Sequence, residues 1–420
     1  MAQWSSRLGF IFAAIGGAVG VGNIWRFPIA VENNGGGAFV LAYLVCTFAF
    51  GLPLMIISIS AGRKYREDVV SIFEDIFPVS LGWVVIVVTT LILSYYMSIT
   101  GWVLGFVFIS IDGFQMSFQS FTNSLWPLVT FVVVTVMTGV VLSFEVDDGI
   151  ERITSLLIPI VFIIIAILAV YATTLSGFGE GASYLFIPTS MGKLADLTLW
   201  DKAFGQAFFS SGVTWGILIT FGMYLDKSTD IPKTSLVITL GNSLVAILGA
   251  IAIFPMVYTY GNPKALQQGN QQLAFVTLPK AFTQMPLGEI LGVAFYFLLF
   301  FAAFSSAIAI MEVPVAVGVG KGISRKKFSA VVTGVLLVAG FPSALSYTNI
   351  GFEFLGSRFF GFMNSTLGSL GLPISGIIIS IGFTWFTDIE VSKKVEVIIK
   401  YVLPILLFVT AVARFLEIVG

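Results

Sequence analysis

Hydrophobic positions along the chain fall into long runs separated by short polar breaks. Runs long enough to cross roughly 30 Å of hydrocarbon as a helix occupy residues 8–31, 38–62, 81–110, 125–142, 153–171, 200–225, 234–258, 287–319, 328–345, 359–386 and 395–418. The pattern predicts an all-α integral membrane protein of 11 transmembrane helices forming a single bundle. The longest polar interruption, residues 261–286, holds Pro263, Pro279 and Pro286 around helix-capable stretches at 264–268 and 275–282, and reads as a structured cap.

Composition sharpens this picture. Of 420 residues, 57% are hydrophobic and only 10% charged, against about 25% charged in an ordinary soluble domain, and the mean hydropathy is +1.00. A soluble globular protein is excluded. With 21 basic and 22 acidic side chains the net charge is −1, which leaves no basic surface for nucleic acid. The chain has no histidine and a single cysteine, Cys46, so histidine-based catalysis, His or Cys metal clusters and intrachain disulfides drop out, and no enzyme is expected. The first apolar run lacks a basic leader and a small-residue cleavage site and is broken by glycines and Arg26, so it is expected to stay in the mature protein. With the N-terminus placed in the cytoplasm, fourteen basic residues fall inside and six outside, with Arg26 within the membrane. That bias predicts N-in and, for an odd number of spans, C-out.

Two runs carry breakers at their centres. The first holds Gly16, Gly17, Gly20 and Gly22; the sixth reads Phe209-Ser210-Ser211-Gly212-Val213-Thr214-Trp215-Gly216. Glycine costs about 1 kcal/mol relative to alanine inside a helix, and backbone freed from helical pairing in lipid must find other partners. Glycines also permit close helix packing, but two breaks at corresponding positions of two five-span halves, with Asn23 and Arg26 just beyond the first, form the pattern of an inverted-repeat secondary transporter. The halves span about 8–171 and 200–386 of one transporter domain, 1–420, with an extra helix at about 395–418.

The motifs Trp4-Ser5-Ser6-Arg7-Leu8-Gly9, Gly20-Val21-Gly22-Asn23-Ile24-Trp25-Arg26-Phe27-Pro28 and Asn34-Gly35-Gly36-Gly37-Ala38-Phe39 resemble the neurotransmitter:sodium symporter family. More specifically, they resemble its bacterial sodium-coupled amino-acid transporters of the leucine-transporter fold. The likeness continues through Tyr95-Tyr96, Gly149-Ile150-Glu151-Arg152 with Pro159, the Gly205-Gln206-Ala207-Phe208-Phe209-Ser210 run, Asn242-Ser243, and Phe300 to Ser306. It implies two sodium sites. One would use the Ala18 carbonyl, Asn23, Ser210 and Asn242, completed by a substrate carboxylate; the other the carbonyls of Gly16, Val19 and Ala302 with the hydroxyls of Ser305 and Ser306. Neutral hard oxygens of this kind suit an alkali cation.

Gly20 stands where the family's monoamine carriers have an aspartate, so the resemblance implies a substrate that brings its own carboxylate, held near Val21, Gly22 and the Tyr96 hydroxyl. The side-chain subsite falls on Gly17, Ile92, Phe209, Gly212, Trp215, Ser306 and Ile310, mostly apolar and without charge. Gly17 and Gly212 open space there, while Trp215 either adds apolar surface or fills that space. The expected function is sodium-coupled symport of a neutral hydrophobic or aromatic amino acid into the cell by alternating access, in the cytoplasmic (inner) membrane of a prokaryote. The alternative is an amino-acid sensor or ligand-gated leak on the same fold.

Several positions depart from the family. Ala246 replaces the chloride-site serine or its glutamate substitute, so chloride is not expected as a cofactor. Asn364 replaces the acid that faces the outer-gate Arg26, leaving Gln206 as the expected group to solvate that guanidinium. Gly320 replaces the inner-gate acid, and no basic residue precedes Trp4. Glu312, deep in the eighth run, needs a partner. The Gly149 to Pro159 spacing reads either as an element that unwinds or as a static kink.

Overall fold

The computed structural model describes residues 3–261, 270–389 and 391–419. The first span is two helices, α1 (Arg7–Ala18) and α2 (Gly22–Asn33), meeting at 52°. There follow α3 (Gly37–Tyr65), α4 (Val79–Ile111), α5 (Trp126–Leu142) and α6 (Asp147–Ala172). The sixth span is again divided, into α7 (Leu197–Ser211) and α8 (Ile217–Met223). After it come α9 (Ile231–Tyr260), α10 (Gly288–Gly320), α11 (Arg325–Leu345), α12 (Phe359–Trp385) and α13 (Lys393–Ile418). Eight of these helices are each long and apolar enough to cross a membrane, and nine are when the bent α1–α2 pair is counted as one span. The other two expected spans fall short for local reasons: α5 has 17 residues, about 25 Å of helix, and α7 and α8 are halves.

Local chemistry places the helix ends. The Ser6 hydroxyl accepts from Gly9 N–H at 2.9 Å to start α1, and the Asp230 carboxylate accepts from Lys233 N–H at 3.1 Å to start α9, each satisfying an orphan donor of the first turn. Gly212 and Gly216 bracket the sixth-span break at φ +70° and +79°, a region that strains residues with a Cβ. Wide turns with i to i+5 bonding occur at Gly22–Arg26, Asp147–Glu151 and Asn364–Gly371.

At the centre of the bundle, α10 packs along α4, α6 and α1, with 78% of its most apolar window buried against 22% for α13 on the periphery. The helices α3 and α8 touch backbone to backbone: a Cβ on Gly62 would lie 1.9 Å from the Ile219 carbonyl oxygen, and one on Gly222 2.5 Å from that of Ile59.

Two features modify the expected all-helical picture. A short hairpin, β1 (Glu353–Phe354) paired antiparallel with β2 (Ser357–Arg358), lies between α11 and α12. In the cap, the expected stretch 264–268 and Pro263 lie outside the described residues, whereas 275–282 falls within the helical segments Leu273–Thr277 and Leu278–Gln284. There Phe275 stacks on Phe118 at 5.0 Å and packs edge-on against Trp25 at 5.4 Å.

Candidate functional site

The break after Ala18 points its freed carbonyls at two hydroxyls on α10. Ser306 Oγ lies 3.0 Å from the Gly16 oxygen, 3.1 Å from Val19 and 3.4 Å from Gly17; Ser305 Oγ lies 3.3 Å from Gly16 and 3.1 Å from Ala302. All five residues of one expected ion site are therefore together, joined by the Gly17 carbonyl. Two hydroxyl protons serve four carbonyl oxygens in a buried space, a surplus of lone pairs that a small cation would neutralise.

A second oxygen cluster lies where α2, α7 and α9 meet. The Asn242 amide oxygen accepts from Asn23 Nδ2 at 2.8 Å and faces the carbonyls of Ser210 at 3.1 Å and Ala18 at 3.3 Å. Turning that amide over would let it donate to both carbonyls, but would set its NH2 2.8 Å from the NH2 of Asn23. A cation among the three oxygens removes the conflict without the turn. Asn23 is held in place because its Oδ1 accepts from Gly20 N–H at 3.3 Å. Ser210 Oγ stands 3.4 Å from the Tyr43 hydroxyl. Among the described residues no group of three His, Cys, Asp or Glu side chains could hold a metal ion, so both clusters depend on neutral oxygens.

Between the clusters is a small cavity. Of the expected substrate residues, Gly17, Gly20, Gly22, Tyr96, Phe209, Ser210, Trp215, Ser306 and Ile310 line it, together with Ala18 and Asn23. Val21, Ile92 and Gly212 are buried nearby without forming its wall. At its polar end, the Tyr96 hydroxyl is buried without a hydrogen-bond partner.

Outside this cavity the gate differs from expectation. The Arg26 guanidinium lies over the Phe209 ring at 4.3 Å, a cation–π contact. Gln206 turns the other way: its Nε2 donates to the Gly22 carbonyl at 3.1 Å and its Oε1 has no partner. Asn364 accepts a long hydrogen bond, 3.5 Å, from the Tyr95 hydroxyl. Gln206 is engaged by the broken helix itself, and the aromatic ring takes its place beside Arg26. Above lies a vestibule with about 800 Å³ of atom-free space, lined in part by Arg26, Lys202 and Arg414. Arg414 on α13 clasps Asp201 on α7 at 2.6 Å and its own Glu417 at 2.7 Å, and Lys202 reaches Glu417 at 2.9 Å.

The opposite end is closed by groups that the sequence reading left without partners. Trp4 packs edge-on against Phe10, Phe221 and Tyr224, and its indole N–H donates to the Phe221 carbonyl at 3.0 Å. Glu312 pairs with Arg325 through both oxygens, at 2.9 and 2.5 Å, and accepts from the Tyr224 hydroxyl at 2.6 Å. Arg325 Nε also donates to the Phe144 carbonyl at 2.6 Å, so one ion pair ties the ends of α5, α8, α10 and α11. Glu151 accepts from Ser5 N–H and the Ser5 hydroxyl, both at 2.7 Å, and from the Ser6 hydroxyl at 2.9 Å. It latches the N-terminal segment onto the wide turn that contains Gly149. At Gly320 a Cβ would lie 2.6 Å from Asp68 Oδ2, so a neighbouring carboxylate already occupies the space of the missing inner-gate acid. Glu151, Tyr224, Arg325 and Arg414 are the residues that sequence reasoning missed; the available signal was the demand of Glu312, inside an apolar run, for a counter-charge.

Comparison with known proteins agrees with this architecture. The sequence profile of the Sodium:neurotransmitter symporter family matches residues 1–126 and 111–413. The chain is 32% identical over 412 residues to the uncharacterized sodium-dependent transporter YhdH of Bacillus subtilis, covering 93% of this chain and 88% of the relative. It is 33% identical over 363 residues to an uncharacterized sodium-dependent transporter of Methanocaldococcus jannaschii, covering 80% and 73%. The crystal structure of MhsT in complex with L-phenylalanine superposes with a TM-score of 0.88 at 33% identity, covering 99% of this chain and 100% of that one.

Proposed function

Since the chain belongs to the sodium:neurotransmitter symporter family, and is thus a multi-pass, sodium-dependent membrane transporter rather than an enzyme, we propose that it carries a neutral, hydrophobic amino acid into the cell with sodium. On this reading the eight long helices, the bent α1–α2 pair, α5 and the divided α7–α8 make eleven spans, with N-in, C-out topology in a prokaryotic cytoplasmic membrane. Two five-span repeats, about 8–171 and 200–386, rock around the two breaks, and α13 is the extra helix.

The observation that carries the proposal is the surplus of carbonyl oxygens at both clusters, where neutral protein groups supply lone pairs but too few protons. Two sodium ions fit there, the second cluster leaving the cavity side open to a substrate carboxylate. The unpartnered Tyr96 hydroxyl supports the same placement of that carboxylate, since a buried donor without an acceptor is costly. The uncharged wall of Phe209, Trp215 and Ile310 favours a substrate without a charged side chain. MhsT is solved with L-phenylalanine, which supports an amino acid as cargo. Ala246, fully buried, offers no hydrogen-bond donor to chloride.

The test is uptake into proteoliposomes under an imposed sodium gradient, with a panel of amino acids. Concentrative uptake of neutral amino acids that persists when gluconate replaces chloride is the expected outcome. Equilibration without accumulation would instead identify a leak, and strong competition by lysine or glutamate would refute the uncharged pocket.

A further inference from the structure

We infer that the hairpin between α11 and α12 is a lipid anchor: its tip, Leu355, with Phe352 and Phe354 behind it, seats in the interfacial zone of the bilayer and holds the start of α12 there.

The turn carries an apolar side chain against the preference of its own backbone. The two residues between the paired strands, Leu355 and Gly356, have φ +50° and +76°, the left-handed geometry of a two-residue hairpin that favours Asn-Gly or Asp-Gly. Gly356 suits it. Leucine at the first place is strained by its Cβ and, at 80% exposure, recovers little from packing on the protein. A turn facing water would gain on both counts from asparagine, whereas a turn facing lipid uses the leucine.

The strands sort their side chains to match. Glu353 stands opposite Arg358, and Phe354 opposite Ser357. Neighbours along a strand face opposite ways, so the two charged residues share one face and Phe354 lies on the other. The Arg358 guanidinium is held over the Tyr347 ring at 4.4 Å. Phe352 packs edge-on against Phe359 at 5.4 Å and Phe354 against Phe362 at 4.9 Å, yet Phe352 and Phe354 both remain exposed. The Phe359 N–H donates to the Phe352 carbonyl at 2.9 Å, which ties the hairpin to the first turn of α12.

Its place in the fold puts this apolar face at the edge of the bilayer. α11 packs along α5, and the outward sides of both are apolar: Val331, Val335, Val338 and Phe341 on α11, with Val129 and Val133 on α5, are all exposed. In a membrane transporter that surface is the lipid-facing belt. α5 begins with the exposed Leu125 and Trp126, and tryptophan is enriched where hydrocarbon gives way to water. The Asn349 side chain donates to the Asn123 carbonyl at 2.6 Å, which sets the segment after α11 at that same level. Ile350, also exposed, then carries the apolar surface on from the belt to the hairpin. The bilayer is therefore the partner that this face fits, since apolar side chains gain by entering the boundary between headgroups and acyl chains.

The experiment measures how often a nitroxide label collides with oxygen, which concentrates in lipid, and with a water-soluble nickel chelate. It uses the full-length protein in nanodiscs of phosphatidylcholine and phosphatidylglycerol. The label is attached at Leu355→Cys, with Lys193→Cys, an exposed position, as the aqueous reference; the native Cys46 is buried. At 355, frequent oxygen collisions and a loss of nickel collisions are expected, the reverse of 193. Nickel accessibility at 355 equal to that at 193 overturns the anchor. Loss of both collisions also overturns it, because protein from this chain or a second copy would then cover the tip. A second measurement tests the leucine itself, with the label at Ser357→Cys, on the apolar face, compared with and without Leu355→Asn. Asparagine tolerates the left-handed turn, so the hairpin is retained, and nickel accessibility at 357 is expected to rise as the tip leaves the lipid. Unchanged accessibility in the Leu355→Asn background overturns the inference.

Discussion

A hydroxyl has one proton to donate, and Ser306 Oγ has three carbonyl oxygens within 3.4 Å. On the proposed reading this mismatch marks the cluster as a cation site rather than an interhelical contact. It also gives the assignment a specific consequence. Replacing Ser305 and Ser306 together by alanine, or Asn242 by alanine, is expected to abolish sodium-stimulated substrate binding while the protein remains folded, as read by binding against sodium concentration and by gel filtration. Retained sodium activation in both variants would remove the assignment. These clustered groups are legible in the sequence because glycines and hydroxyls in an apolar run are conspicuous, and because a broken helix must place its freed carbonyls somewhere. The surroundings of Arg26 are not legible in the same way. Gln206 lies on the neighbouring half-helix and has the right chemistry, but which way its amide turns depends on the Gly22 carbonyl, which also accepts from Phe27 N–H in the wide turn.

Helix ends carry the second group of constraints. Glu312 and Arg325 lie on consecutive helices, and only the way α10 and α11 pack brings them within 2.5 Å; no periodicity in either run announces it. Both side chains are buried, at 0% and 5% exposure, and breaking a buried pair by removing one partner costs about 3–5 kcal/mol, whereas replacing both with apolar groups is often neutral. Glu312→Leu and Arg325→Met should therefore each lower stability strongly, and the double variant should recover most of the loss, as measured by thermal unfolding in detergent. If the double variant is as unstable as the sum of the singles, the pair is not coupled. The latch of Glu151 onto Ser5 and Ser6 is an element-scale device of the same kind. It joins a terminal segment to the wide turn at Gly149, which gives that turn a partner beyond its own helix. Gly320 belongs here too: its lack of a side chain is explained by Asp68, which caps the helix Val69–Ile76 through Val70 and Ser71 N–H.

At the scale of the whole molecule, the apolar runs foretell the helices well because lipid forces backbone pairing within each segment. The reading stops short at the hairpin of 353–358, which is exposed and too short to leave a hydrophobic signature. It also gives no hint of the clasp between Arg414 and Asp201, whose residues are more than two hundred positions apart. One contact that this assembly creates has a mechanical meaning. Where side chains separate two helices, the helices can shift past each other as rotamers repack. At Gly62 and Gly222 nothing separates α3 from α8, and Arg63 adds a 2.7 Å hydrogen bond to the Thr229 carbonyl just beyond. The half-helix α8 is thereby keyed to its neighbour like a gear tooth, and on the proposed alternating-access reading any swing is expected to carry α3 along as one lever arm. Spin labels at Lys64 and Lys227 should keep a constant separation when sodium and substrate are added, while the distance from Lys227 to Lys327 on α11 changes. A lever that came apart at the glycines would show the reverse.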